Sequence, residues 1–331
     1  MICLDADVLK QCFEDRIFAI FDGGDNKKNL SALCRELLTE QIKTWHDLRK
    51  AYEFLKNIKI RDLPCKGFSV RIQHNPGRVK SSTANVDNAR INSRPCFLCL
   101  QNLPEAQKGI LYRRTYLILC NPAPVFPSHL TIVLLDHHPQ SILDNIDTFL
   151  NLSRDLGNRW TILYNGPKCG ASAPDHLHFQ AIPSGLLPIE KEILEEKNLT
   201  QVRTSENVSI FLTKNLGREA ITIEGHDTTA IADELIEILT NMKKMPQADE
   251  EPMINVACFY DNERYRLLVF PRARHRPEAF FKEGNERIVV SPAVIEMCGV
   301  IVTPAEKDFE RLDAPTVEGI YREVSLLRSV V

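Results

Sequence analysis

Two histidines and a glutamine alternate in His176-Leu177-His178-Phe179-Gln180, shortly after the loop Asn165-Gly166-Pro167-Lys168-Cys169-Gly170-Ala171-Ser172. On a strand, side chains alternate with a period of two, so His176, His178 and Gln180 share one face and Leu177 and Phe179 the other. Backbone N–H groups of a loop rich in small residues can approach the oxygens of an anion, while Ser172 adds a donor and Lys168 a charge. Two imidazoles and an amide beside such a loop make a site for grasping and attacking a phosphate. The same residues also fit a half-buried strand with two hydrogen-bonded histidines after an ordinary hairpin loop, since a short motif is only a hypothesis.

A second set of reactive side chains lies upstream. Cys96-Phe97-Leu98-Cys99 spaces two thiols so that they can close on one tetrahedral metal. No second CxxC occurs, so further zinc ligands have to be histidines: His129, His137, His138 or His176. A redox pair and two inert buried thiols compete with zinc, although the βαβ context of a thioredoxin-like motif is missing. In NPAPVFPSHLTIVLLDHHPQSILDN, Asn121 stands at a strand end, where it can hydrogen-bond a ribose hydroxyl. Asp136-His137-His138-Pro139 in that stretch fits equally well as a helix N-cap with solvated histidines. Pro271-Arg272-Ala273-Arg274-His275-Arg276 reads either as a solvated loop or as a polyphosphate contact.

These residues need elements to position them. Residues 4–57 read as helical, with Leu30, Leu33, Leu37 and Leu38 and then Trp45, Leu48, Tyr52 and Leu55 at helical spacing. Phe68, Val70 and Ile72 alternate as a strand, and residues 80–94 are polar and read as a long loop. Strands follow at 116–120 and 130–135, an amphipathic helix at 140–156, and strands at 161–164 and 176–182 around the glycine loop. Residues 183–188 mark a boundary. Beyond it come strands near 207–213 and 219–224, a helix near 227–243, a proline- and acid-rich break at 245–252, and the strand pair INVACFY and RYRLLVF across Asp261-Asn262-Glu263. The end reads as mostly helical. Strand pairs interrupted by single helices indicate an α+β fold with antiparallel sheets, in which the second half could be a diverged copy of the first.

Composition narrows the function classes. The 331 residues are 44% hydrophobic and 26% charged, with a net charge of -3, so there is no global basic field to hold nucleic acid or an anionic membrane. The apolar runs are too short to span a bilayer, no signal peptide is visible at the start, and the ten scattered cysteines suit reduced thiols in a cytoplasmic protein.

Taken in order, CFLC, NPAPVFPSHLTIVLLDHH, YNGPKCGAS and HLHFQA resemble the histidine-triad superfamily. The likeness is to its nucleotidyltransferase and phosphorylase branch: galactose-1-phosphate uridylyltransferases, diadenosine-polyphosphate phosphorylases and GDP-L-galactose phosphorylases. HLHFQA is closest to the GDP-hexose phosphorylases, and VSPAVIEMCGVIV is similar to a carboxy-terminal segment of those enzymes. The resemblance implies a HIT-like fold of two related halves, residues 61–185 (catalytic) and 186–331, after an amino-terminal helical segment, residues 1–60. It also implies that His178 attacks the α-phosphorus of a nucleotide and carries the nucleotidyl group, the step typical of an EC 2.7.7 transferase. An unperturbed imidazole, with a pKa of about 6.5, is ready for this near neutrality.

By the same resemblance, Gln180 contacts the phosphate, and a glutamine at this place points to transfer rather than hydrolysis. Gly170, Ala171 and Ser172 line the α-phosphate, with Asn165 and Lys168 in the same loop, and Asn121 contacts ribose. Cys96, Cys99, His137 and His176 match a structural zinc site, with His138 as the alternative to His137. Arg78, Arg272 and Arg274 are read as phosphate contacts without a matching motif. The implied substrates are a nucleotide-sugar or dinucleoside polyphosphate together with phosphate or a sugar phosphate, and a homodimer is suggested. The alternatives are a HIT-type nucleotide hydrolase and a silent nucleotide-binding protein.

Overall fold

Tyr116–Cys120 and Trp160–Asn165 are buried at every position, which requires both faces of the sheet they join to be covered. The computed structural model describes residues 14–23, 29–83, 91, 94–244 and 251–326. Among these, the strands are β1 (Ile17–Phe21), β2 (Lys59–Pro64), β3 (Ser69–His74), β4 (Gly109–Tyr112), β5 (Tyr116–Cys120), β6 (Leu130–Leu134) and β7 (Trp160–Asn165). They continue with β8 (His178–Pro183), β9 (Leu199–Thr204), β10 (Val208–Thr213), β11 (Ile221–Gly225), β12 (Ile254–Asp261), β13 (Arg264–Pro271) and β14 (Val300–Thr303). Eleven strands form one sheet in the order β1-β4-β5-β6-β8-β7-β12-β13-β11-β10-β9, and β14-β3-β2 form a second. Among the described residues, only the β1–β4 and β14–β3 pairs are parallel.

Helices α1 (Leu30–Thr44), α2 (His46–Leu55), α3 (Ile146–Leu156) and α4 (Thr228–Lys243) carry apolar stripes. Leu30, Leu33 and Leu37 of α1, Phe149 and Leu150 of α3, and Ile231 and Leu235 of α4 bury one face of the large sheet in a single cluster with Ile118, Phe179 and Val256. Local sequence sets the helix starts: the Asn29 side chain accepts from Ala32 N–H, and Asp227 accepts from Thr229 and Ala230 N–H. The opposite face has two covers. Over β7, β12 and β13 lies the small sheet with α5 (Val294–Met297) and α6 (Ala314–Val324), burying Leu163, Ile182, Leu268 and Phe270 against Val70, Val300, Met297 and Tyr321. Over β5 and β6 lies the CFLC segment, where Cys96 and Cys99 pack with Leu117, Leu119 and Val133.

The large sheet repeats itself. β4-β5-β6-α3-β7-β8 and β9-β10-β11-α4-β12-β13 are the same order of elements, and the two sets meet where β7 pairs antiparallel with β12. Read outward from that junction, the strands run β7-β8-β6-β5-β4 on one side and β12-β13-β11-β10-β9 on the other. The strands outside the repeat mix the two ends of the chain, since β3 pairs with β14.

Several expectations need correction. The helical reading of 4–57 is interrupted by β1, where Ile17-Phe18-Ala19-Ile20-Phe21 is a run of β-branched and aromatic residues that pairs with β4 at the sheet edge; residues 4–13 lie outside those described. The mostly helical end contains β14, a short apolar run of the kind that periodicity cannot assign. Within the expected loop 80–94, Val79–Ser82 is helical, and 84–90 and 92–93 lie outside the described residues. The strand expected at 176–182 begins at His178, which leaves His176 in the loop. Asp136–Pro139 caps no helix, because α3 begins only at Ile146.

Candidate active site

β8 lies between the two covers of the second sheet face. Its His178 is paired with Val133 of β6, which belongs to the CFLC cover, and its Gln180 with Leu163 of β7, which belongs to the other. Side chains opposite one another in an antiparallel pair share a face. His178 and Gln180 therefore sit in the gap that both covers leave.

His178 is 4% exposed. Its Nδ1 donates to the carbonyl oxygen of His176 at 2.8 Å, since a carbonyl can only accept. Burial, the largest cause, pushes its pKa down to about 4. The imidazole is thus neutral near pH 7 with its lone pair on Nε2. This corrects the expectation of an unperturbed group: desolvation secures the reactive form over a wider pH range.

Gln180 is oriented by His129, which was among the histidines expected as metal ligands. Buried His129 accepts Val125 N–H on Nδ1 (3.2 Å), and burial first, then the charge of Arg78, lowers its pKa to about 3. Neutral His129 therefore carries its proton on Nε2 and donates to Gln180 Oε1 at 2.8 Å. The NH2 end of Gln180 is left as the donor for a ligand. Asn121 stands beside this pair: its Nδ2 donates to Thr131 Oγ1 (3.0 Å), its Oδ1 accepts Ala123 N–H (2.9 Å), and Thr131 is paired with Gln180. Half-buried Arg78 joins the same turn, donating to Ala123 O at 2.7 Å.

Residues 166–177 connect β7 to β8. Gly170 adopts φ +95, and a Cβ there would stand 2.5 Å from Ala293 Cβ, so the position needs glycine on both counts. The VSPAVIEM segment thereby forms the floor of the loop. Ala171 is buried, Ser172 half-buried and Lys168 exposed.

Asn165 and Arg272, both expected as ligand contacts, do supporting work, Asn165 through its Oδ1 and Arg272 through its whole guanidinium. Buried Asn165 uses Oδ1 to accept Val294 N–H and Asn255 Nδ2, each at 2.8 Å. Arg272, 2% exposed, donates to Asn255 Oδ1, to Pro292 O (2.9 Å) and to Val324 O (3.1 Å). Its guanidinium satisfies carbonyls beneath the loop and is not turned to a ligand. Arg274 points to Glu323 of α6, with Nη1 3.9 Å from Oε2. Arg272 was legible as charge but not as a buried hydrogen-bond donor.

Cys96, Cys99, His137 and His176 gather so that their ligand atoms all lie within 4.8 Å of one another. Cys96 Sγ is 3.3 Å from His176 Nδ1, and Cys99 Sγ is 3.1 Å from His137 Nδ1 and 3.5 Å from His176 Nδ1. A tetrahedral zinc with ordinary bond lengths separates sulfur from nitrogen by about 3.5 Å. His176 Nε2 donates to Leu134 O at 2.7 Å, which turns Nδ1 toward the cluster. The residues fit a metal, and it is His137, not His138, whose ring nitrogen lies in the cluster, although both are exposed. His129 belongs to Gln180.

Known proteins bear on this geometry. A family model described as "Domain of unknown function (DUF4922)" matches residues 37–183, and one described as "GDPGP1-like, C-terminal domain" matches residues 193–329. The solved structure of yeast Ap4A phosphorylase Apa2 has the same fold, with a TM-score of 0.59 at 16% identity over 87% of this chain and 97% of that one. Its complex with Ap4A gives 0.59 at 14% identity, over 88% and 97%. A search of curated proteins returned no match. The chain thus shares the fold of the Ap4A phosphorylase structures, and its residues 193–329 match the GDPGP1-like carboxy-terminal domain. Among the described residues, no helix is long and apolar enough to cross a membrane.

Proposed function

We propose that the protein is a nucleotidyltransferase of the phosphorylase type that passes a nucleoside monophosphate through His178. The observation that carries this reading is the neutral, buried imidazole with Nδ1 held by His176 O and Nε2 bearing the lone pair. Nε2 attacks the α-phosphorus of a nucleotide-sugar or dinucleoside polyphosphate. The P–N bond forms as the P–O bond to the leaving phosphate breaks, and that oxygen keeps the electron pair. A phosphate oxygen of the acceptor then attacks the same phosphorus, and the P–N electrons return to Nε2. The NH2 of Gln180, with backbone N–H groups and the Ser172 hydroxyl of the loop, donates to the oxygens that gain charge. Asn121 takes the ribose, while Lys168 and Arg78 supply positive charge. Inorganic phosphate is the preferred acceptor, since the active strand and the VSPAVIEMCGVIV segment both lean to the phosphorylases. Zinc on Cys96, Cys99, His137 and His176 would pin the CFLC cover to the loop and take no part in the chemistry.

A panel of NDP-sugars and dinucleoside polyphosphates, with and without phosphate, tests this. Release of the nucleoside diphosphate only when phosphate is present is expected. Nucleoside monophosphate formed in water alone would make the protein a hydrolase instead, and no turnover of any donor would leave only a binding protein.

A further inference from the structure

We propose that Gln140 is the positioning residue that holds the His178 backbone in register with the phosphate loop, an inference that rests on the nucleotidyl-transfer reading of that site. β7 and β8 pair only as far as Leu163 opposite Gln180, and β6 and β8 only as far as Val133 opposite His178. At the point where His178 must be placed, the ladder between β7 and β8 has ended and the strands part to admit residues 166–177. A parted strand end leaves backbone groups that need partners if they are buried.

One side chain supplies them. Gln140 is 3% exposed. Its Oε1 accepts His178 N–H at 2.9 Å, and its Nε2 donates to His178 O and to Asn165 O, both at 2.9 Å. Both amide hydrogens and the amide oxygen are thus engaged. The backbone N–H of Gln140 also donates to Pro174 O at 2.9 Å, while Leu177 N–H donates to His138 O at 2.7 Å. Gln140 therefore touches the loop where it leaves β7, where it returns, and at the nucleophile. The side chain acts as a substitute strand between β7 and β8.

The consequence reaches the imidazole through the backbone. The direction of Nε2 is set by the Nδ1 bond to His176 O, which lies two residues back on the same stretch. If Asn165 and His178 are free to separate, this bond and the loop donors no longer converge on one phosphorus. Gln140 touches no ligand in this account, so its loss acts on the rate of transfer and leaves donor binding largely intact.

The test compares wild type, Gln140→Met and Gln140→Asn by single-turnover labelling with a radiolabelled donor and by residue-level amide hydrogen exchange. Methionine removes all three bonds at similar length, and asparagine keeps the amide but is one methylene short. Labelling is expected to slow about 100-fold in the methionine variant and about 10-fold in the asparagine variant, with donor affinity within about threefold, as for a misplaced reacting group. The His178 amide should exchange at least about 10-fold faster, while Gln180 and Ile182 keep their protection, because only the local partner is lost. Labelling within about threefold of wild type in a folded variant, or an unchanged His178 amide, overturns the proposal. Uniformly faster exchange along β8 also overturns it, by making Gln140 general structural glue. If the methionine variant does not fold, the asparagine variant decides. If the wild type takes no label from any donor, the transfer reading itself fails, and amide exchange alone judges Gln140.

Discussion

The two halves of the large sheet share one order of elements and differ most in two connections. In the first half, residues 166–177 link β7 to β8; in the second, β12 turns into β13 through Asn262 and Glu263, at φ 50 and 60, a pair of left-handed residues that suits a tight hairpin. In the first half, residues 135–145 link β6 to α3; in the second, His226 and Asp227 suffice between β11 and α4. The two longer connections hold much of the site, His137 and Gln140 in one, the phosphate loop and His176 in the other, while Asn121 and His129 lie between β5 and β6. β8 then opens on His178 and Gln180, whereas β13 opens on Arg264 and Arg266, which both pair with Glu224. On the proposed reading, one half therefore carries the chemistry. The other supplies sheet, and its continuation returns as the floor under Gly170.

Substitution at matching places should separate the halves most sharply. His178→Ala is expected to cut nucleotidyl transfer at least about 1,000-fold, as loss of a nucleophile does. Arg266→Ala, on the counterpart strand, should leave transfer within about threefold, since distant sites act independently; a loss comparable to that of His178→Ala, read by the same single-turnover assay, would break the comparison. Next comes Gln180→Ala, which removes one donor to the developing charge and should cost about 100-fold in rate.

Metal removal should come third. Cys99→Ser, or chelation, is expected to lose bound zinc by elemental analysis and to lower Tm by on the order of 5 °C or more. Amide protection should fall in residues 94–140 and 166–177 and persist in β9–β13. The smallest effect concerns Glu296 of α5, beneath the loop, where burial raises the carboxyl pKa to about 7. The folded state then holds this proton more tightly than the unfolded chain, so the contribution is present below the ordinary value of 4.5 and is lost as pH rises through about 7. Denaturant titrations of Glu296→Gln should show that slope flattened by on the order of 1–3 kcal/mol between pH 4.5 and 8.

What the sequence made legible was local. HxHxQ after a glycine loop, CxxC, the strand pair across Asp261-Asn262-Glu263 and the leucine spacing of α1 each declare themselves within a few residues. The resemblance extended this to the Cys96, Cys99, His137 and His176 cluster. The supporting amides were hidden, because a glutamine or asparagine has no signature until its partners are known. Gln140 meets His178 and Asn165, His129 meets Gln180, and Asn255 meets Asn165 only through the sheet order. Glu251 was hidden in the same way: it accepts from Tyr164 OH and Ile142 N–H across the two halves. Arg272 was misread for a related reason, since charge in a sequence suggests a ligand while burial among carbonyls makes a brace. β1 and β14 escaped because short apolar runs fit helix and strand alike.

The central claim is that His178 Nε2 becomes covalently nucleotidylated. Its most direct test is to quench the wild-type protein with labelled donor in the absence of acceptor, digest it, and locate the adduct by peptide mass mapping. The account predicts an acid-labile nucleoside monophosphate on the peptide containing His178, present in His138→Ala, absent in His178→Ala, and discharged on adding phosphate. An adduct on another residue, or donor turnover by the His178→Ala protein at the wild-type rate, would contradict it.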